Sequence, residues 1–366
     1  MKAVTGRERR PSRDGPEACA FWRAASVLAL FNLLLVAWLL LQPAGPRVSP
    51  IVSNVAGFVG PLLVLPLCFG GLWRRGGVRG DLQTDGMRSF AAVRRWVPVL
   101  LGMGILSYAL GRMVFTYYVW ELDRLPPMPS YATIGFQGQY PFLLFGILLL
   151  LPARASTGSS RARVVLDGLM IMAVTVTFSW YFFLGPVVQQ SEETLLARAF
   201  AVSYPLADIV LIGSLLVLAL RPGRRALKPA IRLLTLGLIL IVITDGIYGY
   251  ERINGIYVTG GLLDAGWPLG YALVGLGAYI ARLAPTGEAD ETPGDELAAD
   301  GQRLWPSLLP YALLPAVGLL AVYAWRASAE SNLAAGVYVG GGLLVFLVLL
   351  RQILTIVENT RLYDRL

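Results

Sequence analysis

The stretch AASVLALFNLLLVAWLLLQ, residues 24–42, contains no charged side chain. A helix needs about 20 apolar residues to cross the hydrocarbon layer of a membrane, so this run predicts a transmembrane helix. Nine further apolar stretches of similar length follow, near residues 50–73, 96–120, 134–152, 164–184, 198–220, 229–251, 264–283, 305–326 and 335–355. With 56% hydrophobic residues and a mean hydropathy of +0.62, the chain is too apolar for a soluble globular protein. The sequence therefore predicts an all-α, polytopic transmembrane bundle of about ten spans.

Basic residues occur almost entirely in alternate gaps between these stretches. Of the 31 Lys and Arg residues, 25 fall on one side, five fall on the other side, and Arg112 lies within a span. Because Lys and Arg are retained in the cytoplasm during insertion, both termini are predicted to be cytoplasmic, in the cell or inner membrane. The net charge of +8 then reflects topology and contact with the lipid bilayer, and it does not favour a nucleic-acid partner.

Composition divides the chain into five parts. Residues 1–23 form a basic cytoplasmic N-terminus, and residues 24–283 form an eight-span membrane body. Residues 284–304 are rich in Pro, Gly, Asp and Glu, as is typical of a flexible acidic linker. A two-span hairpin follows at 305–355, and a cytoplasmic exit helix is predicted at 356–366.

An internal repeat is indicated within the body. GFQGQYPFLLFG, from Gly135, and GWPLGYALVGLG, from Gly266, share glycine and aromatic positions at one constant offset of 131 residues. This match predicts two parallel four-span repeats, 24–152 and 164–283. The alternative is that Gly, Tyr and Trp recur because close helix packing and membrane interfaces favour them.

Charged side chains inside spans carry the functional prediction. Arg112, Asp208 and Asp245 lie at a similar depth in the outer half of three spans, and Asp264 lies at the outer mouth. Each costs about 2.5–3.5 kcal/mol to insert unless it is paired or solvated. The predicted ligand-binding pocket joins these four residues to aromatic side chains of the spans, namely Tyr117, Tyr118, Tyr248, Trp267 and Tyr271, with Tyr108 and Trp120 as further wall residues. The alternative is a packing clamp in which Arg112 pairs with Asp245 or Asp208.

The chain lacks the residues of several kinds of chemistry. It contains no His, and neither of its two Lys residues lies within a span, which excludes an imidazole base and a retinal Schiff base. No nucleophile with a base, phosphate-binding loop or metal-ligand cluster occurs, so we expect no catalytic residue, metal or cofactor. Asp167 follows Arg163 by four residues, a spacing at which the two pair on a helix.

The last span continues without Pro or Gly into RQILTIVENTRLYDRL, residues 351–366. Its apolar residues keep a helical period beyond the membrane, as in a transmembrane helix that enters a coiled coil. This pattern predicts a homodimer through the exit helix, and a solvated helical tail is the alternative.

Four segments carry a resemblance to a known family. Residues 111–154 contain a Tyr-Tyr helix end, a Pro-Pro-x-Pro-Ser turn and a Tyr-Pro entry into the next span. Together with SYPLADIVLIG (203–213), DAGWPLGY (264–271) and ENTRLYDRL (358–366), these motifs resemble the multi-pass input region of some bacterial diguanylate cyclases and sensor histidine kinases. The resemblance implies a sensor whose exit helix leads to an output domain.

The chain contains no GGDEF or EAL motif and no phospho-acceptor His, so we expect it not to be an enzyme. The prediction is a signal-input module that conveys an outer stimulus to a cytoplasmic output partner or to a missing output domain. Two alternatives are a small-solute or lipid transporter, favoured by the repeat and the intramembrane charges, and a membrane scaffold.

Overall fold

A computed structural model of the chain describes residues 16–45, 47–70, 95–127, 129–150, 158–186, 194–220, 227–284, 304–327 and 332–363. These residues are helical apart from short connections, and no β-strand occurs among them. The all-α class predicted from the sequence is therefore confirmed. The predictions for most of the basic N-terminus, for the acidic linker at 285–303 and for the last three residues concern positions outside these ranges.

Ten α-helices run through the described ranges. They are α1 (Pro16–Leu41), α2 (Ser49–Phe69), α3 (Trp96–Glu121), α4 (Tyr131–Leu148), α5 (Gly158–Ser179), α6 (Leu195–Leu220), α7 (Lys228–Ile253), α8 (Gly266–Leu283), α9 (Leu304–Ala327) and α10 (Asn332–Tyr363). A π-helical turn, Trp180–Leu184, extends α5, and a 3-10 helix, Leu262–Ala265, precedes α8.

Six of these described helices, α1, α2, α3, α6, α7 and α10, are long and apolar enough to cross a membrane. Helices α4 and α8 have 18 residues each, which corresponds to about 27 Å. The apolar stretches of α5 and α9 are shorter still, at Leu166–Phe182 and Leu314–Ala327. Several long apolar helices are thus present, as a multi-pass membrane protein requires.

The connection between α3 and α4 shows how local sequence sets helix ends. Prolines at 126, 127 and 129 cannot continue a helix, and α3 ends before them at Glu121. Ser130 then caps α4: its hydroxyl accepts a hydrogen bond from the Thr133 backbone N–H, and the Thr133 hydroxyl oxygen accepts one from the Ser130 N–H at 3.1 Å. This reciprocal capping box fixes the start of α4.

Five helices form a closed ring, which we call the five-helix ring. Each packs against two others in the order α3, α4, α6, α7, α8 and back to α3. Helix α2 packs outside the ring against α3 and α8, and α1 packs against α2 and α8. The largest buried apolar cluster contains residues from all five ring helices and from α1 and α2.

Helix α5 lies outside the ring, where it joins α6 to the C-terminal hairpin of α9 and α10. A second buried cluster contains residues of α5, α9 and α10, including Met170, Val317 and Leu344. Helix α5, which belongs to the predicted eight-span body, therefore shares its core with the predicted hairpin.

Glycines bring α10 close to the end of α5. A Cβ atom added at Gly336 would lie 1.9 Å from Trp180 Nε1, and one added at Gly340 would lie 2.0 Å from Thr177 Oγ1. Side chains of α5 and of its π-helical turn thus pack directly against the two glycines of the GxxxG motif in α10. Glycines allow such a close approach of helices in membranes.

The hairpins α3–α4 and α7–α8 pack in matching register. An added Cβ at Gly104 would meet Leu143 and the Gln139 carbonyl oxygen, and one at Gly237 would meet Val274 and the Gly270 carbonyl oxygen. The two hairpins share a second contact of the same kind: Gly146 packs against Leu101, and Gly277 packs against Leu234. The α7 residues of these contacts all follow their α3 counterparts by one fixed number of sequence positions. The α8 residues all follow their α4 counterparts by a second fixed number. In this register Arg112 and Asp245 occupy equivalent positions.

Candidate functional site

Three hydrogen bonds connect side chains on different helices of the five-helix ring. Tyr271 on α8 donates to Gln139 Oε1 on α4. Tyr140 on α4 donates to Asp208 Oδ1 on α6 at 2.9 Å, and Trp267 Nε1 on α8 donates to Asp245 Oδ1 on α7 at 2.8 Å. We call these six residues the polar tier. Because buried polar groups are stabilised by such partners, the tier fixes four helices relative to one another.

Aromatic rings surround the polar tier. The Tyr108 ring lies 4.3 Å, centroid to centroid, from Tyr271, and the Tyr248 ring lies 5.6 Å from Trp267 in an edge-on arrangement. Tyr204 meets Tyr140 edge-on at 6.3 Å. Such tilted and edge-on pairs are favourable arrangements of aromatic quadrupoles. The walls of the tier are therefore aromatic on α3, α4, α6, α7 and α8.

The Arg112 side chain is 4% exposed and lies against aromatic rings. Its guanidinium carbon is 5.1 Å from the Phe115 ring centroid and 5.4 Å from that of Trp267. Among the described residues, Nε and Nη2 have no hydrogen-bond partner, and no hydrogen bond joins Arg112 to Asp208 or Asp245. A Cβ added at Gly57 would lie 2.6 Å from Nε, so α2 covers the guanidinium closely. Arg112 thus stacks on aromatic rings and does not form the alternative clamp with Asp245 or Asp208.

Asp264 anchors the connection between α7 and α8. Its carboxylate accepts hydrogen bonds from Ser53 on α2, from the Tyr257 hydroxyl at 2.8 Å and from the Gly260 backbone N–H at 2.7 Å. Gly260 has a φ of +90°, and an added Cβ would lie 2.8 Å from the Pro50 nitrogen, so glycine is required there. Asp264 therefore fastens the α7–α8 connection to the start of α2.

Tyr257 lies in this connection, outside the helices. Burial raises the pKa of its phenol above the usual range, and the Asp264 carboxylate raises it further, whereas Arg112 lowers it. Its ring also meets Tyr248 edge-on at 4.8 Å. Tyr248 in turn accepts a hydrogen bond from Arg252 Nη1 at 2.5 Å. Through Tyr257, the α7–α8 connection therefore packs against Tyr248 of the aromatic wall.

Two predicted pocket residues lie apart from this group. Tyr117 is 55% exposed and its ring contacts Tyr118, which in turn lies beside the Arg124 guanidinium. Trp120, a further expected wall residue, is 57% exposed. The structure brings Arg112, Asp208, Asp245, Tyr248, Asp264, Trp267 and Tyr271 together. Tyr117 is exposed near the end of α3, and the half-buried Tyr118 contacts it there.

Sequence reasoning missed several members of the site. Gln139 and Tyr140 bond to two residues of the tier, and Tyr204 lies beside Tyr140. The repeat offers a signal for Tyr140, since it matches Tyr271 in the alignment of the two glycine-rich segments. Ser53 and Tyr257 carry no comparable signal, because nothing in their local sequence links them to Asp264.

Polar and apolar residues separate along the ring axis. On α3, α4 and α6 the tier and its walls lie towards the arginine-poor loops, and Leu101, Ile147 and Leu215 are buried towards the arginine-rich loops. Helices α7 and α8 behave alike, with Leu234 and Ala278 at that end. The site therefore occupies one half of the ring, and an apolar layer fills the other half.

Within the described ranges, no three His, Cys, Asp or Glu side chains come together as a metal site. Comparison of the chain with protein-family models, with curated proteins and with solved structures finds no match.

Proposed function

We propose that the chain is a ten-span sensory input module with both termini in the cytoplasm, in line with its resemblance to the input region of bacterial diguanylate cyclases and sensor histidine kinases. A stimulus reaches the polar tier from outside, and α10 conveys the change to a cytoplasmic output partner. The four shorter helices, α4, α5, α8 and α9, complete the ten spans. The alternation of basic residues supports this topology, because each of these helices connects an arginine-rich gap to an arginine-poor one.

The observation that carries the proposal is the position of α5. It packs against α6, which holds Asp208, and against α10, which continues as one helix to Tyr363. Arg351 on α10 forms an ion pair with Asp167 on α5. A helix that packs against both α6 and α10 offers a contiguous physical connection through which the two can be coupled.

The apolar layer of the ring favours a sensor over a transporter. Leu101, Ile147 and Leu215 are each 1% exposed or less and lie between the tier and the cytoplasmic ends of the helices. A polar solute would have to cross this close-packed layer, whereas a bound stimulus has only to change the tier.

The exposed face of α10 supports the proposed homodimer. Six apolar residues at alternating spacings of four and three all lie exposed, namely Val339, Leu343, Phe346, Leu350, Ile353 and Val357. The opposite face, with Val337, Leu344 and Arg351, is buried against α5 and α9. The stripe keeps a heptad period past the ion pair, as the seam of a parallel coiled coil does.

Disulfide crosslinking tests the proposal in membranes. In a Cys19→Ser background, Val357→Cys places a thiol on the stripe, and Gln352→Cys places one on an exposed position away from it. We expect crosslinked dimers for Val357→Cys and few for Gln352→Cys. Adding Trp267→Ala, which disturbs the tier, should change the crosslinking rate at position 357. Equal rates with intact and altered tiers would contradict signal input from this site.

A second candidate function, transport, is favoured by the matching register of α3–α4 and α7–α8. We propose that this register reflects an internal duplication, which is frequent in transporters. Uptake of solute into proteoliposomes that contain the chain would favour transport, and crosslinking changes without uptake would favour the sensor.

A further inference from the structure

The C-terminal end of α5 departs from α-helical pairing. In the π-helical turn Trp180–Leu184, the Gly185 backbone N–H donates to the Trp180 carbonyl oxygen, five residues earlier. An α-helix would pair this N–H with Tyr181, four residues earlier. The pairing at this end of α5 is therefore longer by one residue than in an α-helix. Such turns are rare, and they occur frequently at functional sites of proteins.

Two interlocking contacts join this turn to the first turns of α10. The Trp180 indole lies over Gly336, where an added Cβ would overlap the indole Nε1 and Cδ1 atoms. The Leu333 side chain lies over Gly185, where an added Cβ would overlap Leu333 Cδ2. Each segment thus supplies one glycine that accommodates a side chain of the other. A shift of the turn by one residue would therefore change both contacts together.

The same turn also packs against α7 of the five-helix ring. Helix α7 carries Asp245, whose carboxylate accepts the hydrogen bond from the Trp267 indole on α8. The polar tier, α7, the π-helical turn and α10 are therefore in continuous contact. This route does not pass through α6. Packed elements of this kind couple two sites when one of the elements has two discrete arrangements.

Two buried polar atoms at the start of the turn lack hydrogen-bond partners within the described ranges, namely Ser179 Oγ and Trp180 Nε1. Just before the turn, the hydroxyls of Thr175 and Thr177 donate to carbonyl oxygens four residues earlier, at 2.9 and 2.7 Å. A buried polar group without a partner is costly, and such groups mark places where a native structure stores strain. The π-helical arrangement is therefore the part of α5 that gains most from a second arrangement in which these atoms are paired.

We infer that the π-helical turn is a register switch between the ring and the exit helix. When the bond between Trp267 and Asp245 changes, α7 shifts and the turn exchanges its π-helical pairing for α-helical pairing. The change of one residue withdraws Trp180 from Gly336, so that α10 moves relative to α5. Packed interfaces change in such discrete steps because they do not deform continuously. This inference rests on the proposed function, since it identifies the element through which the tier acts on α10.

Deletion of Phe182 tests the switch, because a turn that is one residue shorter can pair only as an α-helix. The Phe182 side chain is 37% exposed, and Phe182→Ala is the matched control, which removes the same side chain and keeps the length of the turn. Both changes are made in the Cys19→Ser, Val357→Cys chain, with and without Trp267→Ala. We expect Trp267→Ala to change the crosslinking rate by about twofold or more in the Phe182→Ala chain. In the deletion variant the rate should not depend on Trp267.

Amide hydrogen exchange, measured by mass spectrometry, provides a readout that needs no deletion, in case the shortened chain folds poorly. Trp267→Ala should change the exchange rate of residues 179–186 by about twofold or more, because the two forms of the turn pair different amides. Residues 98–105 of α3, which lie towards the apolar layer, are the control segment and should exchange at an unchanged rate.

The two measurements separate the switch from the proposed function. Crosslinking that depends on Trp267 equally in the deletion variant and in Phe182→Ala would overturn the switch and leave the signal input intact. Crosslinking that ignores Trp267 in the chain of normal length would contradict the signal input, and hydrogen exchange would then decide the switch by itself. Unchanged exchange at residues 179–186 would overturn the switch, and altered exchange confined to this segment would support it.

Discussion

Arg351 Nε on α10 lies 2.5 Å from Asp167 Oδ1 on α5, and both side chains are largely buried. The two residues are separated by 184 positions in the sequence. Asp167 therefore pairs with Arg351 on α10, although its spacing from Arg163 indicates a local pair within α5. The Thr355 hydroxyl donates a hydrogen bond to the Arg351 backbone carbonyl oxygen within α10.

Breaking this ion pair should weaken the packing of α10 against α5. We expect Asp167→Asn and Arg351→Gln each to lower the free energy of unfolding, by up to about 3–5 kcal/mol, because each removes one charge of a buried ion pair. The double variant should cost less than the sum, with a coupling energy of about 0.5–3 kcal/mol. Thermal or denaturant unfolding in detergent measures all three variants. Additive losses would show that the two side chains do not interact, and Glu121→Gln combined with Arg351→Gln is the additive control.

Glycines 336 and 340 should tolerate no side chain. Ala at Gly336 or Gly340 would place a Cβ within 2.0 Å of Trp180 or Thr177, and we expect a loss of about 1–3 kcal/mol from overpacking. Gly342, on the same helix, has no atom within 4 Å of an added Cβ. Gly342→Ala should therefore be neutral or slightly stabilising, because Ala favours helix. Equal melting temperatures for Gly340→Ala and Gly342→Ala would contradict the close contact of α10 with α5.

The sequence allows the helices to be predicted more reliably than their partners. Apolar runs near 24–42 and 335–355 correspond to α1 and α10, although α10 extends from Asn332 to Tyr363. The packing of α5 with α10 has no comparable signal. A face that contacts lipid is as apolar as one that contacts a helix, so periodicity does not distinguish them. The π-helical turn at Trp180–Leu184 likewise has no sequence signature in WYFFL.

The sequence predicts which charged residues belong to the candidate site, but it does not predict how the side chains of the site contact one another. Intramembrane charge identified Arg112, Asp208 and Asp245 because such residues are costly in lipid. It did not reveal that Arg112 stacks on Trp267 while Trp267 donates to Asp245. The position of Tyr117 and Tyr118 near a helix end predicts them in the pocket but does not fix the direction of their side chains. Helical rotation places Tyr117 on the exposed face of α3, one residue from the buried Thr116.

Alkaline pH should weaken the α7–α8 connection through Tyr257. Its raised pKa means that the folded chain retains the phenolic proton to a higher pH than the unfolded chain. The corresponding stability is present below the unfolded pKa of about 10 and is lost as pH rises above it. The free energy of unfolding should therefore fall less steeply above about pH 10 in Tyr257→Phe than in the wild type. Tyr131→Phe, which changes an exposed tyrosine, is the control, and identical slopes for Tyr257→Phe and the wild type would contradict the prediction.

The matched hairpins should differ in their tolerance of a methyl group at equivalent glycines. An added Cβ at Gly237 would lie 2.7 Å from the Gly270 carbonyl oxygen, whereas one at Gly104 would lie 2.9 Å from Leu143 Cδ2 and 3.2 Å from the Gln139 carbonyl oxygen. A backbone atom cannot move without shifting α8, but the Leu143 side chain can change rotamer.

We therefore expect both Gly104→Ala and Gly237→Ala to lower the free energy of unfolding, with the larger loss, about 1–3 kcal/mol, at Gly237. Gly318→Ala on α9, where an added Cβ has open space, measures the intrinsic effect of the substitution. Denaturant unfolding of the three variants measures each loss of unfolding free energy and shows which is largest. A loss at Gly104 that equals or exceeds the loss at Gly237 would mean that side-chain packing, and not the approach of the two backbones, sets the spacing within each hairpin.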